Sequence, residues 1–179
     1  ILGHDHPSAL NRSLREIYDT THVIVMDSDA CPIAPDWMNE VDSLLEEHDA
    51  IVASDPRLFG MSHPCFMVLP GAAPTQLDFA EGLREVGLDT GRLVGLQLVR
   101  LGYKVHFARP APAFDGYRGQ TYLGNRVYHH GQGSFSSSSH PGHRGAYEPD
   151  LEQLFRRKLS EGDFCLSRAE RRWLRLRSA

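Results

Sequence analysis

The stretch that most restricts how this chain can fold is HVIVMDSDACP, His22 to Pro32: a β-prone, apolar run that ends in two aspartates one residue apart. Two carboxylates repel each other and resist leaving water, so a buried strand that ends in them needs compensation. Two arrangements supply it. In one, Asp27 and Asp29 are turn residues that accept hydrogen bonds from backbone amides ahead of Pro32. In the other, carboxylates at i and i+2 of an extended strand end point to one side and share a hard cation. All-oxygen ligation favours Mg²⁺ or Mn²⁺. The tripeptide alone leaves both open; the strand in front of it, whose carboxyl end is where open α/β sheets bind ligands, favours the metal.

Around this stretch the pattern alternates. HPSALNRSLREIY places Leu10, Leu14, Ile17 and Tyr18 at helical spacing, with Pro7 suited to a first turn. A second helix opens at Pro35 and carries Trp37, Met38, Val41, Leu44 and Leu45 on one face. Short strands are expected at 50–53, 65–69 and 104–108, with helices at about 75–86 and from Asp89-Thr90 to a stop at Gly102. This is the grammar of a layered α/β sheet. From 109 to 149 prolines, glycines and a serine run predict a long irregular, His/Gly/Ser-rich loop, and two arginine-rich helical pieces close the chain at 150–179.

Composition narrows the class. Residues 151–179 carry eight Lys/Arg against four Asp/Glu, so the overall −4 leaves the first 150 residues at −8. That body repels bare phosphate backbones, which argues against a nucleic-acid partner and requires a bridging cation or local donors for any phosphate ligand. Cys31, Cys65 and Cys165 are odd in number and far apart, which fits a reducing cytoplasm rather than a disulfide framework. No apolar run approaches membrane-span length. The basic C-terminal helix, with Trp173, Leu174 and Leu176 beside Arg171, Arg172, Arg175 and Arg177, could lie on the cytoplasmic face of an anionic membrane or be a solvated helix. Opening at Ile1, directly into a helix, the chain reads as a piece of a longer protein.

Four ordered segments resemble one family. HVIVMDSDACPIAPDWMNEV is similar to the central D-x-D segment of family 2-like glycosyltransferases of the GT-A fold, and HPSALNRSL resembles that family's A-x-N helix through Ala9 and Asn11. GLDTGRLVGLQLVRLGYKV resembles its E-D element and following helix, and VYHHGQGSF resembles the C-terminal loop that supplies a histidine. The resemblance spans residues 4–135. It implies a GT-A-like, Rossmann-like α/β/α layered mixed sheet lacking the N-terminal nucleotide-binding strands. It also implies sugar transfer, by inversion, from a nucleotide-diphosphate sugar to the hydroxyl of a glycan, lipid-linked or other acceptor. Residues 1–149 would be the C-terminal part of the catalytic domain and 150–179 an extension.

On this resemblance Mn²⁺ or Mg²⁺ would sit on Asp27 and Asp29, with His129 or His130 as a third ligand; the two neighbours should point to opposite faces, so only one serves. Asn11, Ser28, Asp27 and Asp29 would contact the nucleotide-sugar. Asp89 would be the base, although Leu88 stands where the family has glutamate, and an aspartate there also suits a helix N-cap. Glu85 and Asp78 are reserve bases. Glu85 and Trp37 fall on the acceptor side, although Trp37 also fits the apolar helix face. Other readings are a haloacid dehalogenase-type phosphatase with Asp27 as nucleophile, and a non-catalytic sugar-binding remnant. Against the phosphatase, Cys31 stands where Thr or Val is wanted, and neither Lys104 nor Lys158 precedes a matching acidic pair.

Overall fold

The structure, a computed structural model, describes residues 6–17, 19–54, 61–81, 90–112 and 119–130. They belong to two compact units. One is built from Ile1–Asp27 and Asn39–Pro110, the other from Ser28–Met38 and Ala111–Ala179.

The first unit holds a mixed sheet of four strands, β1 (His22–Met26), β3 (Ala50–Ser54), β4 (Ser62–Pro70) and β5 (Val105–Ala108), in the order β1-β4-β3-β5. β1 and β3 run antiparallel to β4, and β3 runs parallel to β5. Alternation along the strands sorts their side chains between faces. On one face Val23, Val25, Ala50, Val52, Met67 and Leu69 form the core with Leu14 of helix α1 (His6–Arg15) and with Val94 and Leu98 of helix α3 (Val94–Arg100). On the other face Ile51, Phe66 and Val68 are equally buried. Helix α2 (Trp37–Leu45) leads into β3, and the pair Asp49 N–H to Lys104 O (2.8 Å) and Lys104 N–H to Asp49 Oδ2 (2.7 Å) locks the starts of β3 and β5 together.

Helix α3 sits close to β5 because Gly95 lacks a side chain: a Cβ there would meet the Phe107 ring at 2.7 Å. The helix begins at Val94, later than the sequence predicts, and Thr90 is not its cap; Asp89 lies outside the described residues. Its N-cap, Leu93, has no capping side chain; Ser62 of β4 fills the role from a distance, its Oγ accepting from Gly95 N–H (3.0 Å) and donating to Gly91 O (2.7 Å). At the other end Gly102 takes φ 90°, with Gly102 N–H to Val99 O and Tyr103 N–H to Leu98 O both at 3.0 Å. This is the expected glycine stop, as a Schellman motif.

The helix expected at 75–86 is not formed in its described part. A 3₁₀ turn covers Pro74–Gln76, and Leu77 is already extended. The turn residues beyond it are satisfied by side chains instead of by helical bonds. Gln97 donates to Asp78 O and accepts from Asp78 N–H, both at 2.8 Å, while Asn11 Oδ1 accepts from Phe79 N–H at 2.9 Å.

The second unit holds an antiparallel sheet in the order β2-β8-β7-β6, from strands β2 (Ala30–Pro32), β6 (Ala111–Pro112), β7 (Gln120–Tyr122) and β8 (Val127–His129). The expected long irregular loop therefore contains three strands, and the described residues are mixed α/β, as expected, with two mostly antiparallel sheets. The β7–β8 hairpin closes through Leu123, Gly124 and Asn125, all at positive φ, with Arg126 N–H donating to Tyr122 O at 3.0 Å. Among the described residues no helix is long and apolar enough to cross a membrane. The sequence-predicted basic helix and its membrane face lie at 150–179, outside the described residues.

Candidate metal-ligand site

The aspartate pair does not continue an extended strand. β1 ends at Met26; Ser28 and Asp29 form a turn, and β2 starts at Ala30. Among the described residues β1 is an edge strand paired only with antiparallel β4, so the rule for parallel strand ends is not what positions Asp27. Asp27 is instead fixed by its own N–H, which donates to Cys65 O at 3.2 Å as the ladder's last rung.

Asp29 is placed by the second sheet. β2 pairs with β8 in the register Ala30↔His129, Cys31↔Tyr128 and Pro32↔Val127, and His130 N–H extends the ladder to Asp29 O at 2.9 Å. This register brings Asp29 beside the two histidines, and alternation along β8 then separates their tasks. His129 Nε2 lies 3.5 Å from Asp29 Oδ1, both side chains being largely buried, at 9% and 15% exposure. His130 turns the other way, its Nδ1 2.8 Å from the Tyr128 hydroxyl. The sequence left open which histidine accompanies the aspartates; among the two, His129 is the one beside Asp29.

The 3.5 Å separation is long for a hydrogen bond, whose usual range is about 2.7–3.2 Å. It is close to the spacing of about 3.0–3.4 Å between two donors that share one cation at about 2.1 Å each. Asp27, Asp29 and His129 can each offer one ligand atom, and Asp27 is tied to Asp29 through the single residue Ser28. Two carboxylates and one imidazole fit Mn²⁺, which accepts nitrogen more readily than Mg²⁺ does.

The other predicted residues make contacts of their own or are not described. Ser28 is exposed in the turn. Asn11 uses its amide on Asp78 Oδ1 (2.8 Å) and Phe79 N–H, joining α1 to the segment before α3. Asp78 itself also accepts from Ala80 N–H at 2.9 Å, which makes it a turn residue. Trp37, half-buried, is the first residue of α2. Asp89 and Glu85 lie outside the described residues.

Sequence reasoning missed Tyr128, which orients His130, and Gly119. Gly119 has φ 111°, and a Cβ there would meet Tyr128's ring at 2.8 Å and His129 O at 2.7 Å. The alternation of Tyr128 with His130 was the available signal. No family model, no curated protein and no solved structure matches the chain.

Proposed function

We propose that this chain is part of a metal-dependent glycosyltransferase, in which Asp27, Asp29 and His129 hold Mn²⁺ or Mg²⁺ against the diphosphate of a nucleotide-sugar. The observation that carries the reading is the Asp29–His129 pair, with its ligand-like 3.5 Å spacing and its link through Ser28 to Asp27. The ordered likeness of four segments to family 2-like transferases supplies the reaction class. A divalent cation held there would act as a Lewis acid toward the departing diphosphate. The chain's own contribution is to fix the ligands before substrate arrives: the β2–β8 register sets Asp29 and His129, and the β1–β4 ladder sets Asp27.

The acidic body supports this reading, because a diphosphate approaches it only with a cation to bridge them. Asp89 remains the proposed base, and a GT-A arrangement of the complete enzyme the proposed architecture. The test is Mn²⁺-dependent transfer from UDP-, GDP- and dTDP-sugars by the full-length protein. Asp29→Ala should lower transfer roughly 100-fold or more, and Asp89→Asn should lower turnover without weakening metal binding. Unchanged transfer in Asp29→Ala would refute the metal role. Release of phosphate from simple phosphomonoesters, lost in Asp27→Asn, would establish the phosphatase instead.

A further inference from the structure

A second pair of imidazoles lies in the first unit, on residues with no part in the proposed transferase site. His48 follows α2 and His106 sits on β5; their ring centroids are 5.1 Å apart with planes at 73°. His106 pairs in parallel register with Ile51. Its neighbours Val105 and Phe107 pack against the core cluster, so alternation turns His106 to the opposite face of an edge strand.

The tautomer of His48 follows from its partner. Nδ1 lies 3.0 Å from Leu44 O, a carbonyl at the end of α2 that also accepts from His48 N–H at 3.0 Å and from Glu47 N–H at 3.3 Å. A carbonyl only accepts, so Nδ1 carries the proton and the lone pair resides on Nε2. A backbone carbonyl that holds one ring nitrogen while the other is left to ligate is the usual support of a metal-binding histidine. Two imidazoles on one tetrahedral ion, at Zn–N distances of about 2.1 Å, have ring centroids about 5 Å apart, which is the separation here.

We propose that His48 and His106 form a two-imidazole chelate for a borderline divalent transition-metal cation of the zinc type. Burial and the neighbouring His48 both favour neutral His106, the form that ligates, while Glu40 of α2 opposes them. Imidazole donors and half-burial suit zinc more than Mg²⁺ or Ca²⁺, which prefer oxygen ligands. Water completes the coordination.

The test titrates Zn²⁺ alone into the full chain carrying His129→Ala, which removes the ligand shared by the Asp27–Asp29–His129 and His63–Cys65–His129 groups. Calorimetry is paired with NMR of the imidazole C–H resonances. The expected result is joint movement of the His48 and His106 resonances on addition of zinc, and a loss of at least about tenfold in zinc affinity in His48→Gln and in His106→Gln. Resonances that stay in place at saturating zinc, or an affinity unchanged in both variants, would overturn the proposal. If one variant fails to fold, the resonances of the parent chain decide. Because Asp27, Asp29 and His129 are not altered between parent and variants, failure here leaves the transferase reading intact, and failure of that reading leaves this one.

Discussion

At the residue scale the two adjacent histidines carry different duties. His129 faces Asp29 and His130 faces Tyr128, so His129→Ala should weaken Mn²⁺ binding roughly 10- to 100-fold while His130→Ala leaves it nearly unchanged. Titration of the full chain with Mn²⁺ by electron spin resonance reads this directly. Ser62 shows how much one buried hydroxyl can carry. It is fully buried, and its oxygen joins β4 to the start of α3. Ser62→Ala leaves Gly95 N–H without that acceptor and should cost about 1–3 kcal/mol in chemical denaturation.

His106 gives a pH dependence with a definite sign. Its folded pKa is lowered from 6.5, chiefly by burial and then by His48, with Glu40 opposing. The unfolded chain thus takes up a proton at higher pH than the folded one. Stability from this group is fully present above pH 6.5 and is lost as pH falls through 6.5 and on through the folded value. In metal-free buffer the wild-type melting temperature should fall more between pH 7.5 and 5.5 than that of His106→Gln. Parallel pH profiles would contradict this.

At the element scale, the readable signals were periodicity and punctuation. The run His22–Met26 is β1, the periodic helices at 6–15 and 37–45 form, and Gly102 ends α3. Gly102 is open to solvent space but sits at φ 90°, so Gly102→Ala should destabilise by about 1 kcal/mol through backbone strain alone, measured by thermal unfolding. What local pattern could not supply was partnership across the chain. The cap of α3 comes from Ser62, more than thirty residues earlier, and the segment after Gln76 leaves helical geometry because Asn11 and Gln97 satisfy its backbone. Nor did composition reveal β6, β7 and β8. The segments QTY and VYH flank a Gly-Asn turn, a hairpin signal submerged in the surrounding glycine, proline and serine.

At the scale of the whole molecule, the chain interleaves its two units, passing from the first to the second between Asp27 and Ser28 and returning after Met38. The sequence announced that two carboxylates end a strand; it did not disclose that the crossing point lies between them. Long-range pairing made the difference, because only the β2–β8 register puts Asp29 beside His129, a hundred residues away.

The most direct measurement is Mn²⁺ affinity of the full chain in wild type, Asp29→Ala, His129→Ala and His130→Ala. One Mn²⁺ is expected to bind, at least about tenfold more weakly in the first two variants and nearly unchanged in the third. An affinity unchanged by Asp29→Ala and His129→Ala would contradict this.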